Sequence, residues 1–234
     1  MRRLPQLLPL YRKLLKDYKQ FKAAGGKIEF HNIAPVFNID NSDRQSGGGQ
    51  YFYQDIWALR ILSQARPEVH VDVGSRYDGF VGQATVISKI IEVDIRPPSF
   101  RLENLVFIRG DVMQLPFKNE SVSSLSSLHT LEHIGLGRYG DPIRPEGTIE
   151  AITELRRVLK KNGHLLISVP IGKERVEFNA QRIFNPVTIL RLMKDFQLIS
   201  FAAINDENQF VSPARPEDYI YAKYSCGLFE LSKK

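Results

Sequence analysis

The sequence predicts an α/β fold: a doubly wound sheet of about seven strands, mostly parallel with an antiparallel last strand, preceded by an N-terminal helical arm. Three observations carry this expectation. From Val69 onward short apolar runs alternate with helical patterns, as parallel strands do when crossovers join them. The first run ends in a glycine turn, Val71-Asp72-Val73-Gly74-Ser75, which suits a strand that opens a ligand site at the carboxyl edge of a sheet. The next two runs end in acids, Asp94 and Asp111, at the same edge.

The arm comes first. Leu4, Leu7, Leu8, Tyr11, Leu14, Leu15, Tyr18 and Phe21 recur at three- and four-residue steps, with the bases mostly on the opposite face. Pro9 suits a first helical turn and Gly25-Gly26 a stop. A polar connection around Asn38–Gln50, containing Ser46-Gly47-Gly48-Gly49, reads as a linker or as a hinge over a ligand. A helix follows over Tyr51–Ala65. The expected organisation is therefore an arm with its connection over residues 1–50 and a main domain over 51–234.

Within the main domain the strands read as Val69–Gly74, Ile90–Ile95, Leu105–Arg109, Val122–Leu128, His164–Val169, Gln197–Ile204 and Gly227–Leu231. Helices are expected over Thr148–Leu159 and Pro186–Asp195. The first of these ends in Lys160-Lys161-Asn162-Gly163, a cationic last turn with a glycine cap. Between Ile95 and Leu105 stands only Arg96-Pro97-Pro98-Ser99-Phe100, too short and proline-rich for a crossover helix.

Composition narrows the function classes. At 234 residues, 43% apolar and 25% charged, the chain matches ordinary globular proteins. Its lone cysteine, Cys226, excludes an internal disulfide and fits a reducing, cytoplasmic setting. The net charge of +6 is not spread evenly. Residues 1–27 hold eight Lys/Arg against Asp17, so the other 207 residues sum to −1. The basic footprint belongs to the arm, which disfavours nucleic acid as the partner of the main domain. For the arm itself three readings stay open: a helix packed on the main domain with a solvated basic face, peripheral contact with an anionic membrane, and nucleic acid third.

The glycine turn disfavours one ligand class, NAD or FAD. A dinucleotide fingerprint needs Gly-x-Gly-x-x-Gly, and here Arg76 stands at the middle glycine, between Gly74 and Gly79. Asp94 could instead accept from both hydroxyls of an adenosine ribose. Asp111 stands where an adenine amino group would need an acceptor.

Asp72-x-Gly74, Asp94, Gly110-Asp111 followed by Leu115-Pro116-Phe117, and Leu131-Glu132-His133 resemble the successive motifs of class I S-adenosylmethionine-dependent methyltransferases. Arg157-Val158-Leu159-Lys160-Lys161-Asn162-Gly163-His164-Leu165 resembles the passage into their fifth strand. More narrowly, Tyr51–Asp55, Glu132–Pro142 and Ser168–Gly172 resemble a methyltransferase-like family associated with polysaccharide biosynthesis, over about residues 50–232. The resemblance implies a Rossmann-like domain and S-adenosylmethionine as cofactor. It implies that Asp72, Gly74 and Ser75 hold the methionine end, Asp94 with Ile95 the ribose, and Asp111 with Val112 the adenine. Leu128 and His129 would flank the methyl group. Arg76 and Asp78 depart from the small residues common in the family. Arg76 could grip the cofactor carboxylate, or pair outward with Asp78.

Methyl transfer needs an aligned acceptor and often a base. His129, His133 and Asp141 are the candidate bases, with Arg138 and Tyr139 to orient a small-molecule or glycan acceptor attacking through oxygen. Glu177, Asn179 and Arg182 are further acceptor-side candidates, and Gln54-Asp55 could cap the cofactor. No metal is expected. His129-x-x-Glu132-His133 matches an inverted zinc signature, but that chemistry needs a helix, and Gly135-x-Gly137 follows at once. The rival from another class is a non-catalytic nucleotide-binding or scaffold protein that retains the fold.

Overall fold

The computed structural model describes residues 8–25 and 48–234. The chain divides into two units, Met1–Ser46 and Gly47–Lys234. Of the first, the described part is α1 (Leu8–Ala23) and its glycine stop, where Gly25 takes φ 91° and donates to the Lys22 carbonyl at 3.0 Å. The connection read at 38–50 lies outside the described residues as far as position 47. No helix among the described residues is long and apolar enough to cross a membrane.

The second unit is built on eight strands. β1 (Val69–Val73), β2 (Lys89–Asp94), β3 (Leu105–Arg109), β4 (Val122–Leu128) and β5 (Leu159–Ile171) pair in parallel. β10 (Ser225–Lys233) lies antiparallel between β5 and β8 (Phe196–Ile204), and β9 (Phe210–Val211) closes the edge. The order is β3-β2-β1-β4-β5-β10-β8-β9. Order reverses between β1 and β4, so the carboxyl ends of those strands flank the crevice where ligands bind in open α/β sheets. A separate ribbon pairs β6 (Arg175–Glu177) with β7 (Gln181–Ile183).

Helices cover both faces because β1–β5 bury side chains on both, apolar on one and mixed with a polar row on the other. On one face α2 (Gln50–Ala65), through Trp57, Ala58 and Leu62, packs with Phe80 and Val81 of the turn before α3 (Gly82–Ala84) and with Ala84 of α3 itself. On the other, α4 (Gly147–Val158) and α5 (Pro186–Leu192) bury Ile152, Leu155 and Ile189 against Val71, Val73, Leu125 and Ile167. Pro186 and the Asn185 cap, which accepts from Val187 N at 2.9 Å, start α5.

Two boundaries differ from expectation. α4 ends at Val158, and the expected cationic turn at 160–163 is already strand. Leu159 is fully buried and pairs with Val122, which draws the chain into the sheet early; a register shift then brings Ser124 opposite His164. Asn162, not Gly163, takes the positive φ. α5 stops at Leu192, three residues early, because Met193 has left helical geometry and is buried in the core. The main sheet has eight strands against the seven read, the addition being the short β9.

Candidate functional site

The carboxyl ends of β1–β4 open into a cleft of about 670 Å³, within the range of about 300–1,000 Å³ that small-ligand sites occupy. Of the residues read as cofactor contacts, Gly74, Ser75, Arg76, Asp94, Ile95, Asp111 and Val112 line it. Asp72 and Leu128 do not.

Asp72 is fully buried beneath the turn. Its carboxylate accepts from Ser75 N at 3.0 Å, Ser75 Oγ at 2.8 Å and Ser126 Oγ. It therefore shapes the Gly74-Ser75 turn instead of facing a ligand. Gly74 has φ 74°, and a Cβ there would lie 2.6 Å from Thr130 Cγ2, so the turn closes on the strand-four loop only as glycine. Asp72 also stands opposite Glu92, which is buried and reached by no other donor. Burial, and after it the neighbouring Asp72, push the Glu92 pKa well above the usual glutamate value. The row continues through Ser126 to His70, whose ring nitrogens meet Ser124 Oγ at 2.7 Å and Ser126 Oγ at 2.8 Å. In the cleft wall the buried Tyr77 hydroxyl has no partner.

Arg76 turns to Asp78, with Nε donating to Oδ1 at 2.9 Å, and its guanidinium lies 4.7 Å from the Tyr51 ring centre. Both members of this ion pair are exposed. The pairing with Asp78 is thus the geometry observed, at the exposed edge of the cleft that both residues line. Asp94, at the tip of β2, is buried and accepts from Arg96 three times: the backbone N at 2.8 Å, Nε at 3.0 Å and a terminal guanidinium nitrogen at 2.8 Å. The Arg96 guanidinium in turn stacks 4.2 Å from the centre of the Tyr139 ring. Asp111 Oδ1 accepts from Met113 N at 2.8 Å.

The loop after β4 forms the facing wall. His129 sits at φ 51°, so the segment leaves the strand in a tight turn and not a helix, and the two histidines share no helical face. The His129 N–H donates to Ser168, whose hydroxyl donates to Gln54 of α2. Gln54 then donates to Asp55 at 3.0 Å, so this pair braces the wall. The His129 ring is fully engaged: Nδ1 meets Glu132 Oε1 at 2.7 Å and Nε2 lies 3.5 Å from Cys226 Sγ. Burial opposes charge on that ring, yet Cys226 and Glu132 outweigh it and hold its pKa well above the usual histidine value. Cys226 is itself fully buried, so this thiol–imidazole–carboxylate set has no access for an electrophile.

His133 differs. Its Nδ1 donates to the Ala180 carbonyl at 2.8 Å, which leaves Nε2 with the lone pair, 3.6 Å from Glu132 Oε1. Burial lowers its pKa, despite Glu132 nearby. Asp141 lines the cleft, but its carboxylate accepts from Gly135 N at 2.8 Å, Gly137 N at 3.2 Å and Tyr139 N at 3.2 Å, tying its own loop. Arg138 donates to Ala180 O at 2.8 Å, and Arg182 donates to the carbonyls of Ile134 and Pro145. Glu177 is held by Arg175 and Gln181 in the β6–β7 ribbon, and Asn179 is exposed there. Among the described residues no His, Cys, Asp and Glu group forms a metal cage.

Sequence reasoning missed Arg96, Tyr77 and Glu132 Oε2. Arg96 carried a local signal, two residues beyond Asp94. The other two become visible only as buried polar atoms without partners.

The order β3-β2-β1-β4-β5-β10-β8 and the cleft at its switch point define the Rossmann-like fold of class I methyltransferases. Solved structures bear this out. A Burkholderia thailandensis 1,6-didemethyltoxoflavin-N1-methyltransferase, crystallised with 1,6-didemethyltoxoflavin and S-adenosylhomocysteine, superposes with TM-score 0.56 at 16% identity, covering 100% of this chain and 92% of its own. The N-methyltransferase NodS of Bradyrhizobium japonicum, in complex with S-adenosylhomocysteine, gives 0.55 at 11% identity over 83% and 93% of the two chains. The [4+2]-cyclase SpnF gives 0.55 at 14% identity over 97% and 94%, so the likeness defines the fold and not the reaction. By sequence, a family described as "Caenorhabditis protein of unknown function, DUF268" matches residues 114–216. The Methanocaldococcus jannaschii protein MJ0638 is 27% identical over 112 residues, 46% of this chain and 42% of that protein, so the chain spans less than half of that relative.

Proposed function

We propose that the chain is an S-adenosylmethionine-dependent methyltransferase acting on a hydroxyl oxygen of a small molecule or glycan, with His133 as the base. The observation that carries the reading is one cleft with Gly74-Ser75, Asp94 and Asp111 along one wall and His133, its Nδ1 committed to the Ala180 carbonyl, on the other. Solved neighbours of the same fold bind S-adenosylhomocysteine, and one of them a small-molecule acceptor. The partnerless Tyr77 hydroxyl and the acids at the tips of β2 and β3 fit a polar adenosyl ligand. The cofactor, when bound, supplies an electrophilic methyl group.

The chain's own residues supply the rest. Asp94 receives ribose hydroxyls, and Asp111 with Val112 borders the adenine. His133 Nε2 would take the acceptor proton as the acceptor oxygen bonds to the methyl carbon of the bound cofactor and the sulfur–carbon bond breaks, leaving S-adenosylhomocysteine. His129 is unsuited to that step, since both ring nitrogens are engaged, and Asp141 is held by three backbone amides.

S-adenosylhomocysteine should raise Tm by mass action, and Asp94→Ala should remove most of that shift. A shift with NAD and none with either adenosyl compound would overturn the reading. A second reading, a scaffold that keeps the fold without turnover, draws on Arg96 occupying Asp94; it expects binding but no consumption of S-adenosylmethionine with any hydroxylated acceptor. The exposed Leu8, Tyr11, Leu15 and Phe21 of α1, among its lysines, support peripheral contact with an anionic membrane, read out as salt-sensitive vesicle binding.

A further inference from the structure

Asp94 and Arg96 raise a question of capacity. A carboxylate offers about four lone-pair positions on its two oxygens. Three are taken: Oδ1 accepts the Arg96 backbone N–H and Nε–H, and Oδ2 accepts one terminal guanidinium N–H. A ribose diol needs one position for each hydroxyl, and only one remains. Withdrawal of the Arg96 side chain leaves the backbone N–H on Oδ1 and frees a position on each oxygen. The guanidinium and the diol therefore compete for one acceptor.

The competitor is also tied to the opposite wall. Its guanidinium stacks on Tyr139 at 4.2 Å, and the Tyr139 ring meets the His133 ring edge-on with centres 5.5 Å apart. Asp94, Arg96, Tyr139 and His133 thus form a continuous file of contacts across the mouth of the cleft. Asp94 is buried while Arg96 is half-exposed, so the guanidinium can swing into solvent but the carboxylate cannot follow. Tyr139 belongs to a loop held at Gly135 and Gly137 by Asp141, so its ring can move while the loop base stays fixed.

We propose that Arg96 and Tyr139 are a latch that positions Asp94 and must open for an adenosyl ligand to engage it, so that ligand binding on one wall is coupled to the setting of His133 on the other. The proposal rests on the methyltransferase reading. Ribose hydroxyls displace the guanidinium, Arg96 leaves the Tyr139 face, and the freed ring admits the acceptor beside His133. The cofactor then binds before the acceptor.

The test is calorimetry of the full chain with S-adenosylhomocysteine. Arg96→Ala should bind it roughly tenfold more tightly, about 1.4 kcal/mol, because the competitor is gone. Structural damage does not produce a gain in affinity. Tyr139→Ala should tighten binding to a smaller extent, and Tyr139→Phe, which keeps the ring face, should match the wild type. Arg96→Lys should fall between wild type and alanine, since ammonium cannot reproduce the two-pronged, stacked geometry. Unchanged or weaker binding by Arg96→Ala, with the wild type binding normally, overturns the latch alone. Absence of binding by both proteins overturns the methyltransferase reading and the latch with it.

Discussion

His129 donates Nδ1–H to Glu132 Oε1 at 2.7 Å, in a pocket where the glutamate is 1% exposed and its second oxygen has no partner. Against burial, Cys226 and that glutamate hold the His129 ring well above the usual histidine pKa. The file Cys226–His129–Glu132 reaches from β10 to the loop after β4, so it also fixes that loop against the sheet.

Glu132→Gln should therefore destabilise the protein by about 1–3 kcal/mol, through an uncompensated histidine. The folded-state pKa of His129 lies above its unfolded value, so its contribution is fully present below about 6.5 and fades as pH rises through the folded value. The loss in urea unfolding should be larger at about pH 6 than toward the alkaline end.

For His133 the sign is opposite. Burial disfavours its charged form, so it stays neutral below the usual 6.5. A titration of its ring protons by NMR should give a midpoint below that of a free histidine. The acid limb of methyl transfer should follow the same midpoint, and His133→Gln should lower turnover about 10²–10⁴-fold while sparing S-adenosylhomocysteine binding.

The Glu92 pKa is raised in the folded state, chiefly because it is buried and secondarily because Asp72 faces it. Its pKa is raised, so its stabilising contribution is complete below about 4.5 and is lost as pH climbs through the folded value. Glu92→Gln keeps an N–H for Asp72 and removes the titration. Urea midpoints of the variant should fall less than those of the wild type between about pH 5 and about pH 8.

The sheet was legible because its parallel strands are short runs rich in Val, Ile and Leu bounded by turns, and β1–β4 were located within a residue or two. β6, β7 and β9 were not, since two- and three-residue strands take their pairing from neighbours and carry no period. The start of β5 was missed because Lys160–Gly163 reads as a helix end, while burial of Leu159 outweighs that local signal. Most of the acids and glycines lining the cleft were legible from their places at strand ends. Their partners were less so. Cys226 and His129 lie 97 residues apart in the chain, and no local pattern encodes that meeting. Asp72 was read as a ligand contact, yet Ser75 and Ser126 absorb its carboxylate and depth takes it out of the cleft.

Glu92, Asp72 and Ser126 stand side by side on three adjacent strands, with His70 and Ser124 one step behind. Sliding β2 by one residue would set Glu92 beside Val71 or Val73, facing the oily side under α4 and away from Asp72. Apolar side chains tolerate such a slip far better, because one methyl substitutes for another. The row therefore works as a key for assembly: among the many ways these three strands can be aligned, it favours the one that sets Glu92 beside Asp72 and lets Ser126 and Ser75 serve the Asp72 carboxylate. It also ties the fates of these positions together: a change at Glu92 that keeps a donor for Asp72 is tolerable, whereas an apolar residue there leaves the Asp72 carboxylate without that neighbour.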